Sequence, residues 1–131
     1  MFLRRQGSEE GPVEKVNLAE KFGLFDETWS PRIVGELNGQ YVKLAKLKGE
    51  FVWHRHQAED EMFLVVHGQL VIKFRDRDVV LEVGEFLIVP RGVEHCPAAE
   101  EECHVLLFEP VATAHTGDVE SERAVDQQAW I

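Results

Sequence analysis

The chain is poor in the features that mark redox, membrane and nucleic-acid-binding proteins. It has two cysteines among 131 residues. They are Cys96 and Cys103, not spaced as Cys-x-x-Cys, so neither a redox motif nor a zinc knuckle is signalled. In a reducing compartment both read as free thiols. No apolar run approaches the roughly 18 residues that a membrane helix needs. The opening stretch Met1-Phe2-Leu3-Arg4-Arg5-Gln6-Gly7 is not followed by an apolar signal core, so a cytoplasmic location is expected. Basic residues are scarce: 14 Lys and Arg stand against 24 Asp and Glu, for a net charge of −10. The dense charge runs, Glu59-Asp60-Glu61 and Glu100-Glu101-Glu102, are acidic. A phosphate backbone would be repelled, and nucleic acid is not an expected partner.

What is present is the composition of one globular domain. Apolar residues make up 44% and charged residues 29% of the chain, enough of the former for a core without disulfide staples. Residues 1–12 lack periodicity and read as a flexible tail, leaving 13–131 as a single domain. No internal repeat or low-complexity block is apparent. Asn17-Leu18-Ala19-Glu20 has the form of a capping box, and Leu18, Phe22 and Phe25 can share a face of the short helix that follows. Trp29-Ser30-Pro31 ends any helix.

From Ile33 onward the pattern is β. Ile33–Leu37 and Tyr41–Leu47 flank Asn38-Gly39, a two-residue hairpin turn whose central positions both need positive φ. Further strands are expected at Phe51–His56, Met62–Val66, Leu70–Phe74, Val79–Val83, Phe86–Val89 and Val105–Phe108. Short strands at this spacing, bounded by Gly, Pro or Asp, indicate an all-β sandwich or barrel. Asp126–Trp130 reads as one possible helical turn.

Three of the six histidines stand in two punctuated segments. In Trp53-His54-Arg55-His56 the two imidazoles are two residues apart and face one side of a strand, with Arg55 on the other. A turn through Gln57–Asp60 would return the chain with Glu61 beside them. Gly84–His95 contains Pro90-Arg91-Gly92, which bends the chain and presents His95 from the next element. A mixed nitrogen and oxygen set of His54, His56, Glu61 and His95 suits Mn, Fe, Co, Ni, Cu or Zn. Four protein ligands on an octahedral ion leave two positions open to water or substrate.

These residues resemble the two motifs of the cupin superfamily. Gly49, His54, His56, Glu61 and Gly68 match the first, and Gly84, Pro90, Gly92 and His95 the second. The spacer from Gly49 to His54 is one residue shorter than usual, and Ala99 replaces the final Asn; neither change removes a ligand. Trp29-Ser30-Pro31-Arg32, Trp53-His54-Arg55-His56 and Thr116-Gly117-Asp118 carry a closer resemblance to small bacterial cupins often labelled mannose-6-phosphate-isomerase-like. The resemblance implies a double-stranded β-helix, or jelly-roll barrel, with a short N-terminal helix. It also implies one divalent first-row metal (Fe, Mn, Ni or Zn) as cofactor, held by His54, His56, Glu61 and His95. The bland alternative is a barrel that keeps these residues and works without metal, at the cost of four uncompensated polar groups inside.

Other residues are read by parity. Val52 and Phe63 share the inward side with the ligands, and Tyr41, Lys43 and His104 are further candidates to reach the pocket. His67 reads as a turn residue, His115 as solvated, and Cys96 as a structural thiol facing away from the site. Trp53, Phe63, Phe74, Phe86 and Phe108 read as core or pocket wall. Met62, Leu64 and Val66 fall on the outer face, which needs cover, so a homodimer is expected. The cavity is expected to be largely apolar with few orienting polar groups, and Glu109–Asp118 to fold across its mouth. A small chelating ligand fits that description and a phosphorylated sugar does not. Three functions remain open: a metal-dependent isomerase, lyase or dioxygenase acting on a small molecule, a non-catalytic binding or sensing module, and an accessory protein with a structural metal. No catalytic acid or base can be named from the sequence.

Overall fold

A computed structural model describes residues 13–114, 116–118 and 128–131. The expected tail at 1–12 and the solvated His115 lie outside the described residues. The short helix α1 spans Leu18–Phe22, and the Asn17 side chain accepts a hydrogen bond from the Glu20 amide at 3.0 Å, as the capping pattern requires. Seven strands follow: β1 Arg32–Leu37, β2 Gln40–Glu50, β3 Glu61–His67, β4 Leu70–Phe74, β5 Asp78–Leu81, β6 Phe86–Val89 and β7 His95–Pro110. The β1–β2 turn places Asn38 at φ 49° and Gly39 at φ 79°, the pair of positive values that an Asn-Gly hairpin supplies cheaply.

All pairings among the seven strands are antiparallel. The main sheet runs β1-β2-β7-β3-β6, and β4 pairs with both β5 and the first residues of β7. Strand β7 therefore belongs to both walls. Its residues 95–98 pair with β4, and its later residues pair with β2 and β3. This curved strand folds the sheet into an all-β barrel, and inward side chains such as Ala45, Phe63, Val65, Ile72, Val105 and Leu107 fill it. On the outside of β1 and β2, Phe22, Phe25, Val34 and Leu44 form a second apolar cluster joined by Val66, Leu106 and Ile131. The helix thus covers one outer face. No helix among the described residues is long and apolar enough to cross a membrane.

Two segments depart from the sequence reading. Phe51–His56 is not a regular strand; among the described residues its one bridge to a strand is the antiparallel pair of His54 with His95. The cause lies opposite. Phe51 N–H donates to the Pro97 carbonyl at 2.9 Å, but Pro97 has no N–H to return, so the ladder lapses there. Strand β7 also begins ten residues earlier than the expected Val105. Its first part was masked by Pro97 and by the exposed run Glu100-Glu101-Glu102. At the C-terminus, residues 126 and 127 of the possible helical turn lie outside the described residues. Trp130 is extended and bridges Ile33 instead.

Candidate metal centre

Glu61 opens β3 and His95 opens β7, so both are fixed by ladder hydrogen bonds; Glu61 pairs with Val89 and His95 with Phe74. His54 and His56 come from the irregular segment. His54 exchanges two backbone hydrogen bonds with His95, at 3.0 and 2.9 Å, and the His56 carbonyl accepts from the Gly92 amide at 2.7 Å. Alternation survives without a ladder: His54 and His56 are buried and Arg55 is exposed.

One ligand atom from each of His54, His56, Glu61 and His95 lies within 4.8 Å of the others. The set is 0–5% exposed. The Nδ1 of His54 and of His95 sit 2.9 Å from the Val52 and Val93 carbonyls. Those contacts turn Nε2 of each ring toward the cluster. His56 Nε2 and His95 Nε2 stand 3.3 and 3.6 Å from Glu61 Oε1. Yet His56 Nε2, His95 Nε2 and Glu61 Oε1 are buried with no hydrogen-bond partner. Buried polar atoms are seldom left so, and three of them aimed at one point fit a divalent ion. Burial, then the neighbouring His95, lowers the His54 pKa to about 4, so this ring is neutral and able to ligate at ordinary pH. At Glu61, burial acts to raise the pKa, but His56 and His95 outweigh it and hold the carboxyl well below its usual range.

A cavity reaches His54 and Glu61 from inside the barrel. Its remaining lining is apolar and includes Trp29, Pro31, Phe51, Phe63 and Leu107. Its free space is about 20 Å³, room for about one water. Phe63 lines it, and Val52 packs against the same core. Trp29, Pro31 and Phe51 are wall residues that the sequence reading missed. Trp29 takes φ 57°, unusual for a bulky residue. It is held there by its amide on the Lys46 carbonyl and its indole N–H on the Lys48 carbonyl, both at 2.8 Å. Its ring stacks on Phe51 at 4.5 Å.

Tyr41 is buried with its ring edge-on to Trp130 at 5.7 Å, and Lys43 meets a group that was not foreseen. Lys43 Nζ lies 3.2 Å from Glu109 Oε1, both side chains almost wholly buried, and the Glu109 side chain also contacts Glu61. Burial, and then the charge of Glu61, push the Glu109 pKa well up, with Lys43 offsetting part of the rise. The interior behind Glu61 is therefore more polar than expected. Inward parity in β7 was the available signal, lost because Glu109 precedes Pro110 and reads as a strand end.

His104 goes the other way. It alternates out of the barrel, stacks on Phe22 at 4.7 Å and lies 2.8 Å from Glu102, so it is not a wall of the cavity. Phe86 is also corrected: it pairs with outward Leu64 and is 60% exposed. Trp53 lies beneath the Arg75 guanidinium at 3.7 Å. Cys96 and Cys103 are free and buried, and burial pushes their pKa values up to about 11 and about 12, the behaviour of inert thiols.

Residues 40–109 match the cupin domain family model. The chain belongs to the cupin family. A cupin-2 domain protein of Shewanella frigidimarina is 48% identical, with a TM-score of 0.72 over 72% of this chain and 93% of that one. A Neisseria meningitidis protein is 32% identical, with a TM-score of 0.69 over 74% and 99%. An uncharacterized Bacillus subtilis protein, YdbB, is 40% identical over 63 residues, which are 47% of this chain and 56% of that relative. None of these names a substrate.

Proposed function

We propose that this cupin binds one divalent first-row metal ion on His54, His56, Glu61 and His95 and uses it to engage a small chelating molecule. The observation that carries this reading is the convergence of buried, unpartnered ligand atoms on one point. A bound ion of this kind supplies Lewis acidity and open positions for a ligand oxygen. The chain supplies the rest: ring orientation through the Val52 and Val93 carbonyls, charge through Glu61, and water exclusion through Trp29, Phe51 and Phe63. The apolar cavity holds about one water as it stands and would have to widen to admit a carboxylate, enol or diol with a small apolar remainder; its lining lacks the cationic side chains that a sugar phosphate needs.

Isomerase, lyase or dioxygenase chemistry is compatible with such a site. One observation favours the non-catalytic alternative, a protein that holds its ligand without turnover. Among the described residues, His54 and Glu61 are the polar lining of the cavity, so no acid or base other than these ligands lines it. A substrate screen with the native metal separates the two. The metal reading itself is tested with protein purified without a polyhistidine tag. It is expected to carry one ion per chain, and His56→Ala is expected to lose more than the roughly hundredfold in affinity typical of the largest outer-shell changes. Unchanged metal content in that variant defeats the reading.

We propose further that the protein is a cytoplasmic homodimer. Two buried free thiols suit a reducing compartment. On the outer face Met62 pairs with Ile88 and Leu64 with Phe86, and Ile88 and Phe86 are 52% and 60% exposed, an apolar patch that association would cover. Light scattering is expected to give twice the chain mass, and Ile88→Glu to halve it. A monomeric native protein would overturn the assignment.

A further inference from the structure

The His54–His56 segment carries two of the four ligands yet lacks a strand's support. One edge is bonded to β7 through the His54–His95 pair. The other edge is met by a short strap, residues 116–118, more than 60 positions away. The Asp118 amide donates to the Arg55 carbonyl at 3.1 Å, and the Arg55 amide donates to Asp118 Oδ1 at 3.2 Å. Successive residues thus bond to opposite sides, His54 to β7 and Arg55 to the strap, as residues within a sheet do. The strap stands where a neighbouring strand would.

Its fit against the ligands is close. Gly117 has φ 61°, and a Cβ there would fall 2.3 Å from the Arg55 carbonyl oxygen and 2.9 Å from His54 Cδ2. Cδ2 is bonded to Nε2, the nitrogen turned toward the cluster. Only a glycine backbone can seat at this distance from a ligand ring. Thr116 beside it is buried.

We infer that the strap Thr116–Asp118 is a positioning element for the metal centre: Gly117 backs the His54 ring and Asp118 staples the backbone of Arg55, fixing both histidines. The inference rests on the metal reading above. Asp118 touches no ligand atom and acts through Arg55. Its carboxylate is needed as a hydrogen-bond acceptor, a role asparagine also fills.

The test compares metal release in the full chain, loaded with Co²⁺ or Zn²⁺ and challenged with a chelator. Asp118→Ala and Gly117→Ala are each expected to weaken metal binding by about tenfold to a hundredfold, the range for loss of an outer-shell support. They should also alter the visible spectrum of bound Co²⁺. Asp118→Asn is expected to restore native retention and spectrum. Circular dichroism of the metal-free variants checks that they fold. A merely structural strap would change thermal stability while leaving the spectrum of bound Co²⁺ unaltered, and that result overturns the inference. So does an Asp118→Ala variant that releases metal at the native rate, or an Asp118→Asn variant that fails to rescue. If the native protein itself binds no metal, the metal reading falls first, an outcome distinct from these.

Discussion

The two halves of the candidate metal centre are built differently. Glu61 and His95 are the first residues of β3 and β7 and are fixed by ladders that run on into the core. His54 and His56 sit on a segment with one bridge on one side and a three-residue strap on the other. The ladder half is secured by many hydrogen bonds and the packing of the barrel. The irregular half depends on a few identifiable contacts. The same cluster therefore has a member set that tolerates change poorly because it is core, and another that is sensitive because its support is thin.

The largest expected effect lies on the ladder side. Glu109 is the buried carboxyl partner of Lys43 behind Glu61. Glu109→Leu leaves the Lys43 ammonium buried without that acceptor and is expected to cost about 3–5 kcal/mol of stability. Lys43→Met combined with Glu109→Leu removes both polar groups and should recover most of that loss, because a buried pair replaced as a unit by apolar side chains is close to neutral. Denaturant unfolding of the two variants decides this. If the double variant is as unstable as the single, the pair is not what Glu109 contributes.

The next effect probes the irregular side through pH. His54 is lowered to about 4 in the folded chain by burial and by His95, against about 6.5 when unfolded. Between those values the unfolded chain binds a proton that the folded chain does not. Stability is therefore full above about pH 6.5 and falls as pH drops toward about 4, by about 3 kcal/mol from this group. Unfolding of metal-free native protein and His54→Gln across this range is the measurement, and the variant should lose less on acidification. An equal loss in both would place the acid sensitivity elsewhere.

The asymmetry also separates what the sequence could reveal from what it could not. The cap at Asn17, the Asn38-Gly39 turn and the inward parity of His54, His56 and Glu61 are local, and local rules fix them. So are Gly84, Pro90 and Gly92, whose spacing announces His95. The supports are nonlocal. Pro97 breaks the ladder opposite Phe51, and nothing in Phe51–His56 itself records that. The strand character of residues 95–104 is hidden because β7 exposes three glutamates at its bend. Lys43 reads as a pocket candidate by parity, but its partner Glu109 reads as a strand end until β2 and β7 are laid side by side. His104 has the composition of a ligand and the wrong parity. Family motifs located the candidate metal ligands but could not say which were held by strands and which by a strap.

The smallest expected effect sharpens the comparison most. Arg55 also forms an ion pair with Asp118, Nε to Oδ2 at 3.7 Å, with both side chains well exposed. A pair so long and so wet contributes little, typically about 0–1 kcal/mol. The strap is instead held through the Arg55 backbone, whose N–H and C=O every residue but proline provides. Arg55→Gln removes the guanidinium and keeps both backbone groups. It is expected to shift stability by less than about 0.5 kcal/mol and to leave metal release within about twofold of native, as an energy that small implies. Asp118→Ala, by contrast, removes an acceptor that the Arg55 amide uses. Chelator-driven release measured on both variants tells the backbone staple from the side-chain pair. Equal acceleration in the two would assign the hold to charge, and salt would then weaken it as it screens exposed pairs.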